Sequence, residues 1–259
     1  MLETFSETYK FRALLAALVG RHLAARYRGS VLGVLWSLLN PICLVGVYTL
    51  VFHYYARIPG VANYPVFVFA GLLPWIWFSS SLLEGVNSIA GSGHLVTKSM
   101  FPAHLLPSVV VVTNLIHYLF ALPVLLALMI ATGSPLHLSL LFLPILVALQ
   151  FVLLIGLTHF FSSINVTFRD IQHLLGNALT LIFFLCPIIY PPSTVPGPFK
   201  FTVDWNPLAL LTMGYQDVIL NGTLPSFRSL GIISVAALAA YLLGTQTYAA
   251  KRERFAESL

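Results

Sequence analysis

Long runs of apolar residues, separated by short polar stretches, dominate the chain. A helix needs about 20 predominantly apolar residues to cross the hydrocarbon core of a bilayer. The runs are continuous rather than alternating, which predicts membrane-spanning helices and not the strands of a barrel. Four prolines within the runs predict kinks, at Pro41, Pro74, Pro123 and Pro144. Six runs are long enough to span, at about residues 32–55, 64–83, 105–132, 138–162, 173–190 and 230–250.

The segment before the first run has an amphipathic pattern. At 100° per residue, one helical face in residues 8–28 would carry Phe11, Leu14, Leu15, Leu18 and His22. The basic residues that flank this stripe are Lys10, Arg12, Arg21, Arg26 and Arg28. Cations at the edges of an apolar stripe suit a helix lying on the membrane surface. We expect residues 1–29 to form a cytoplasmic interfacial helix and 30–259 the six-span domain; a solvated tail is the alternative.

A polar stretch, GSGHLVTKSMFPAHLLP at residues 91–107, separates the second and third runs. Gly93 and Pro102 bracket a short helix predicted from His94 to Phe101, with Lys98 as its cation. A short helix held between two spans can receive a push from a soluble partner and pass it to both. This pattern predicts a cytoplasmic coupling helix, and a simple inner loop is the alternative.

The connection between the fifth and sixth runs is rich in proline and contains one more helix candidate. Asn206 is a suitable N-cap with Pro207 at the first helical position, and the helix is predicted to end near Leu220. About 14 residues are too few to span a bilayer. The pattern predicts a re-entrant outer gate helix with Pro207, Leu211 and Tyr215 as gate residues; a surface helix with no mechanical role is the alternative.

Composition supports a membrane protein. Of 259 residues, 58% are hydrophobic and 8% charged, and the mean hydropathy is +0.90. Soluble domains carry about 25% charged residues, so this chain has too little polar surface for water. Cys43 and Cys186 both lie in apolar runs, which argues against a disulfide framework.

The distribution of basic residues sets the predicted orientation. Cytoplasmic loops of membrane proteins carry the excess of lysine and arginine. With both termini in the cytoplasm, ten basic residues fall inside: Lys10, Arg12, Arg21, Arg26, Arg28, Lys98, Arg169, Lys251, Arg252 and Arg254. Three fall outside: Arg57, Lys200 and Arg228.

Motifs for catalysis are absent from the sequence. It contains no Gly-x-x-x-x-Gly-Lys-Ser/Thr, no His-Glu-x-x-His and no Gly-x-Ser-x-Gly, and no metal-ligand spacing. We therefore predict no catalytic residue, no metal site and no cofactor bound by this chain. Glu84 is the one acid near a span, which argues against an ion-coupled carrier. The energy for transport would then come from a partner on the cytoplasmic face.

Four stretches in this order resemble a known family. They are ARYRGSVLGVLWSLLNP from residue 25, GHLVTKSMFPAHLLP from 93, NVTFRDIQHLL from 165, and CPIIYP with NPLALLTMGYQDVILNG from 186 and 206. Together with the six-span order they resemble the membrane-spanning permease subunit of type-2 ABC exporters. The likeness covers nearly the whole chain and is strongest to the branch that exports lipid-linked polysaccharide such as O-antigen.

The resemblance implies partners and site residues. It implies a homodimer in the bacterial inner membrane, two ATP-binding cassette subunits that hold ATP and Mg²⁺, and a glycan linked to undecaprenyl diphosphate. Nucleic acid is not among the expected partners. The implied ATPase contacts are His94, Lys98, Phe101 and Arg21. Arg26 and Arg28 would recruit the lipid diphosphate, since guanidinium groups fit phosphate well.

Two positions depart from the family pattern. Thr97 precedes Lys98 where a second basic residue is common, and His104 occupies the place of a common acid. The departures affect the detailed contacts with the ATPase and leave the docking idea intact.

Aromatic side chains suggest a glycan cargo, because sugars stack their C–H faces on rings. Tyr48, Phe52 and Tyr55 share one face of the first span, and Phe67 lies early in the second. We expect these four to line a channel; core packing or an interfacial aromatic belt is the alternative. Alternative functions are an ABC exporter for teichoic acid, capsule, drug or lipid, an ion-coupled carrier or channel, and an intramembrane enzyme.

Overall fold

The computed structural model describes residues 10–57, 60–61, 63–96 and 101–255. Within this part of the chain the secondary structure is helical, with no strand. Eight helices of ten or more residues carry the fold and are labelled α1 to α8. They are Arg12–Tyr27, Trp36–Tyr48, Tyr64–Gly85, Leu105–Ala131, Leu143–Asn165, Ile171–Leu185, Pro207–Gln216 and Phe227–Lys251.

Five of these helices are long and apolar enough to cross a membrane, as far as the described residues go. α2 continues through a π-helical stretch, Thr49–Tyr55, so its crossing unit is Trp36–Tyr55. A 3₁₀ turn, Leu138–Phe142, leads into α5 and extends its crossing unit to Leu138–Asn165. The other three are α3, α4 and α8. The predicted bounds of these five spans are accurate to within a few residues at either end.

The sixth predicted span, 173–190, is not a helix of that length. α6 has 15 residues, which is about 22 Å at 1.5 Å per residue and shorter than the hydrocarbon core of about 30 Å. Cys186 has an extended backbone (ψ 138°) because the residue before a proline, here Pro187, avoids the helical region. The apolar run continues beyond the helix, but the helix ends at Leu185.

The prolines do not all act as predicted. Pro41, Pro74 and Pro123 lie inside α2, α3 and α4. Pro144 instead occupies the first turn of α5, where a missing N–H is tolerated. Its predicted kink is therefore wrong.

α3 is the central helix and α2 is peripheral. In the most apolar window of α3, 78% of the residues are buried, against 11% for α2. α3 packs against α2, α4, α5 and α7, and its side chains dominate the single large core. α2 therefore presents most of its apolar surface outward.

α5 and α8 cross with their backbones in contact. A Cβ atom added at Gly156 would overlap the backbone of Ala240 and Tyr241, and one at Gly244 would overlap the backbone of Gly156. Small residues at a crossing let membrane helices approach closely. This crossing is the most extensive helix pairing in the fold.

The predicted helix in the outer connection forms as α7. Its N-cap is Asn206, whose Oδ1 accepts from the N–H of Leu208 over 3.0 Å. A π-turn, Asp217–Asn221, extends it, and Gly222 ends it in the left-handed region (φ 70°). Leu211 and Tyr215 are buried against the bundle, and Pro207 lies at the first turn.

The predicted coupling helix is described only in part. Its first residues form a four-residue helix, Gly93–Val96, that includes the backbone of His94. Thr97 and Lys98 lie outside the described residues. Phe101 is half-buried and not helical, so the prediction that the helix reaches Phe101 is wrong at this end. Pro102 directly follows Phe101 and disfavours a helical conformation there.

Candidate functional site

One arginine holds the last turn of α1 against the bundle. The guanidinium of Arg26 forms an ion pair with the carboxylate of Glu84, near the end of α3. It also donates to Oδ1 of Asn114 over 3.1 Å and lies 2.9 Å from Nδ1 of His117. Asn114 and His117 both belong to α4, so three helices meet at this cation.

Further hydrogen bonds surround this cation. A guanidinium can only donate, so Nδ1 of His117 accepts, and its Nε2–H then donates to the hydroxyl oxygen of Tyr27 over 2.8 Å. Nδ2 of Asn114 donates to Oε2 of Glu84 over 3.3 Å, and Nε2 of His22 lies 3.9 Å from that oxygen. The Arg26 network is defined as His22, Arg26, Tyr27, Glu84, Asn114 and His117.

The ion pair is half-buried, which makes the network more than a surface contact. The side chains of Arg26 and Glu84 are 30% and 31% exposed. A fully exposed pair contributes about 0–1 kcal/mol, whereas loss of one partner of a buried pair strands the other charge. The network therefore fastens α1 to α3 and α4. The residues of α3 and α4 that contact Arg26 lie 58 to 91 positions away from it, so no sequence spacing signals the network.

A cavity of about 510 Å³ lies on one side of the Arg26 network, between α1 and the adjoining ends of α3 and α4. Two guanidinium groups, one imidazole and the Glu84 carboxylate line it, together with two serine hydroxyls and an apolar wall. We call it the cationic cavity. Its lining includes Arg21, His22, Arg28, Glu84, Ser88, Ser92, Leu106, Val109 and Val110.

A second cavity, of about 320 Å³, lies on the other side of the network and reaches between α2, α3 and α4. Aromatic rings, amides and hydroxyls line it. We call it the aromatic cavity. Its lining includes Arg26, Trp36, Ser37, Asn40, Trp77, Ser80, Asn114, His117 and Tyr118. Rings contributed by four different helices, including Tyr27 of α1, meet here, which residue spacing within one helix could not reveal.

A third cavity, of about 760 Å³, lies at the opposite end of the bundle, between the start of α3, the turn after α4 and the end of α7. We call it the Asp217 cavity. Nδ2 of Asn63 donates to Oγ1 of Thr132 over 2.6 Å and to Oγ of Ser134 over 2.7 Å. Asn221 donates to the Asp217 carboxylate over 2.8 Å. Burial raises the pKa of the Asp217 carboxyl, and the Asn221 hydrogen bond lowers it in part.

The predicted diphosphate residues have different positions. Arg28 is exposed at the cationic cavity, together with Arg21, which was assigned to the ATPase contact. Arg26 lines the aromatic cavity and is paired with Glu84. The structure thus brings Arg21 and Arg28 to one cavity and separates Arg26 from both.

The predicted channel aromatics do not form one surface. Tyr48 stacks on Phe183 of α6 at 5.9 Å between ring centroids, and Phe52 lies 6.2 Å from Tyr48. Tyr55 is 71% exposed, whereas Phe67 is 6% exposed and belongs to the core. In a single chain, therefore, Tyr48 faces α6, Phe52 lies beside Tyr48, and Phe67 packs inside the bundle.

Comparison with known proteins identifies the class. A family profile described as ABC-2 type transporter matches residues 13–220. The chain belongs to this family of transporter membrane proteins. It is 40% identical to the O-antigen export system permease protein RfbA of Myxococcus xanthus, with 100% of both chains covered. It is 30% identical to RfbA of Klebsiella pneumoniae over 95% of both chains. It is also 25% identical to the polysialic acid transport protein KpsM of Escherichia coli, over 92% of this chain and 93% of that one.

Proposed function

We propose that the chain is the permease subunit of an ATP-driven transporter that exports a lipid-linked, O-antigen-like polysaccharide. The observation that carries the proposal is the full-length, 40% identity to an O-antigen export permease. The likeness to KpsM is lower and keeps capsule-type polymers as a second cargo class. Both cargo classes are long glycans.

The proposed machine needs partners. The sequence contains no P-loop motif, so a separate ATP-binding cassette subunit would bind ATP and Mg²⁺ and hydrolyse the nucleotide. We propose two such subunits beneath a homodimer of this chain. The large outward apolar surface of α2 and its π-helical continuation, with Val47 55% and Leu50 48% exposed, suits contact with a second copy or with lipid.

The proposed orientation puts α1 and both termini on the cytoplasmic side of a bacterial inner membrane. The excess of basic residues at this end supports it. The cationic cavity then opens at the cytoplasmic face and the Asp217 cavity at the outer face. We propose that α6 and the buried segment Pro187–Ile189 together complete the sixth crossing.

His104, directly before α4, connects the segment between α3 and α4 to two other helices. Nε2 of His159 on α5 lies 3.0 Å from the carbonyl oxygen of His104. The ring of Tyr248 on α8 lies 6.3 Å from the His104 ring and 5.9 Å from the His159 ring. A displacement of the segment between α3 and α4 would therefore move α5 and α8 too. We propose that His94, Lys98, Phe101 and Arg21 form the surface that receives the ATPase.

The outer-gate proposal concerns α7. α7 packs against α3 and α8, and Gln216 donates to the carbonyl of Pro187 over 2.9 Å. It thus contacts the end of the sixth crossing directly. We propose that α7 is re-entrant and that its movement opens the outer mouth of the path.

The transport proposal is tested by deleting the gene in its native host. We expect surface polysaccharide to disappear and the lipid-linked glycan to accumulate inside the cell, with both restored by a plasmid copy. Normal surface polysaccharide in the deletion strain, with membrane insertion of the plasmid copy verified, would contradict the proposal. Accumulation of a different lipid or a drug would assign another cargo.

The coupling surface is tested by Lys98→Glu, with Lys200→Glu as the matched control on the opposite face. We expect Lys98→Glu to reduce co-purification with the ATPase because it reverses the charge of the contact, and we expect the control to leave it unchanged. Equal co-purification of both variants, at equal insertion, would remove Lys98 from the contact.

A further inference from the structure

The C-terminal end of α8 carries two aromatic residues on one face. Tyr248 lies in the last turn of α8, and Phe255 follows the 3₁₀ turn Arg252–Arg254. The two are seven positions apart, which is about two helical turns and puts them on the same side. Their rings meet edge to face, at 5.6 Å between centroids. Phe255 is 2% exposed, so the residues that follow α8 pack against the rest of the chain.

These two rings contact the chain on both sides of the predicted coupling helix. Phe255 packs with Ile89, which directly precedes the turn leading into the helix Gly93–Val96. The ring of Tyr248 lies 6.3 Å from the ring of His104, which directly precedes α4. The end of α8 therefore lies against the start and the finish of the segment between α3 and α4. We call the apolar group at this place the small core: Ile89, Val166 and Phe255, with Tyr248 packed against them.

α5 reaches the same place. Val166, directly after α5, is 5% exposed in the small core, and Nε2 of His159 lies 3.0 Å from the carbonyl oxygen of His104. α5 and α8 are already joined by the backbone contact at Gly156 and Gly244. The small core is separate from the large core around α3. The fold therefore does not need the small core to hold α8 in the bundle.

The other side of the segment between α3 and α4 has room. Ser92 and Leu95 line the cationic cavity of about 510 Å³, together with residues of α1. The helix Gly93–Val96 has four residues, and isolated helices shorter than about 12–15 residues are marginal in water. Its position must therefore come from its neighbours. Because packed interiors yield little, a push on this segment is transmitted on the side of the small core.

We infer that Phe255 and Tyr248 are positioning residues, which hold the segment between α3 and α4 in place for the ATPase and pass its displacement to α5 and α8. This inference rests on the proposed function, because the displacement requires an ATPase docked on that segment. It adds the end of α8 to the residues that couple the ATPase to the spans. Lys251 extends the arrangement, since its Nζ lies 5.8 Å from the centroid of the Phe168 ring, in the connection between α5 and α6.

The first test measures the positioning without the ATPase, in the full chain in phosphatidylcholine nanodiscs. Phe255→Ala removes the ring from the small core. We expect amide hydrogen exchange in residues 89–96 to become at least about fivefold faster, and exchange in the middle of α3 to stay unchanged. Phe227→Ala, at a 95% exposed position in the first turn of α8, is the matched control. Unchanged exchange in residues 89–96 of the Phe255→Ala variant would overturn the inference.

The other end of the segment is tested by Tyr248→Ala. The N–H groups of Leu105 and Leu106 donate to the carbonyl oxygens of Pro102 and Ala103. Without the Tyr248 ring beside His104, we expect these two amides to exchange at least about threefold faster. Exchange at the rate of the unsubstituted chain would remove Tyr248 from the positioning residues.

The second test measures coupling in the native host. Phe255→Ala should lower surface polysaccharide at least about fivefold per inserted permease, while the co-purified ATPase changes by less than about twofold, because the proposed contact residues are untouched. Phe255→Leu keeps an apolar side chain in the small core and should retain most of the export. The melting temperature should be unchanged in both variants, since the large core is separate.

Three outcomes decide between the inference and its competitors. Normal export by Phe255→Ala despite faster exchange would overturn the coupling role. Loss of the ATPase in proportion to the loss of export would make Phe255 a docking residue and overturn the positioning role. If the unsubstituted chain co-purifies with no ATPase or exports another cargo, the proposed function fails, whereas the exchange results stand without it.

Discussion

The cavities at the two ends of the bundle differ in charge although both are polar. At the α1 end, Arg21, His22 and Arg28 line the cationic cavity, and Glu84 is offset by Arg26. At the opposite end, amides, hydroxyls and one carboxylate line the Asp217 cavity, and no basic residue is among its described lining. One end suits phosphate and the other suits uncharged hydroxyl groups. With the proposed cargo, we would expect the charged head group at the α1 end and the uncharged polymer at the other end.

The contrast between the two cavities would be weaker if an exposed aromatic ring lined the Asp217 cavity. Phe67 lies there but is 6% exposed. Phe67→Ala should destabilise the protein by about 3–5 kcal/mol, as expected for a buried phenylalanine. Tyr55→Ala, at a 71% exposed position, is the control and should change stability little. Unfolding in detergent measures the stability of both variants. Equal stability of the two would support the predicted channel-lining role of Phe67.

Reversing the charge of the cationic cavity should have the next largest effect. Arg28→Glu should lower surface polysaccharide more than about tenfold per inserted permease, because phosphate would face a carboxylate. Arg21 is left in place because it belongs to the proposed ATPase contact. Lys10→Glu, on α1's exposed N-terminal side and outside the cavity lining, is the control. Unchanged export in the Arg28→Glu variant would show that the charge of the cationic cavity does not matter for export.

The Arg26 network should contribute less than the core. Arg26→Gln leaves Glu84 half-buried without its cation, and we expect a loss of about 1–2 kcal/mol, between the values for exposed and buried pairs. Adding Glu84→Gln should recover part of this loss, because the stranded charge is gone. A double-mutant cycle on thermal unfolding measures the coupling, and a coupling energy of zero would show that the pair does not hold α1.

The smallest effect is expected at Asp217. Asp217→Asn should change the affinity for undecaprenyl diphosphate by less than about twofold, since the two cavities lie at opposite ends of the bundle. Because burial raises the pKa of this carboxyl, its ionised form costs stability at neutral pH, and the substitution should not destabilise the fold. The affinity is measured by titrating undecaprenyl diphosphate into the variant in nanodiscs. A large loss of diphosphate affinity would end the distinction between the cavities.

Local sequence predicted the helices because their signals are local. Apolar run length located five spans, and the Asn206–Pro207 pair located the start of α7. The sixth run failed because Pro187 ends the helix while the hydrophobicity continues to Tyr190. The high content of basic residues also separated α1 from the spans.

The candidate site could not be predicted in the same way. Glu84, Asn114 and His117 come to Arg26 from far along the chain. Glu84 is noticeable in the sequence as an acid near a span, but no local pattern indicates its partner. The resemblance to a family implies the same role for Arg26 and Arg28, but only the fold distinguishes the partnered guanidinium from the one at the cationic cavity. Charge pairing across helices is a tertiary property.

The backbone contact between Gly156 and Gly244 also limits how the permease can move. With no side chain between α5 and α8, sliding one helix along the other would press Cβ atoms into the peptide groups beside the contact. We expect these two helices to tilt as a single lever during transport. Residues 252–255, which directly follow α8, would then move together with α5. The signal of a fluorescent label attached there should therefore change during the transport cycle.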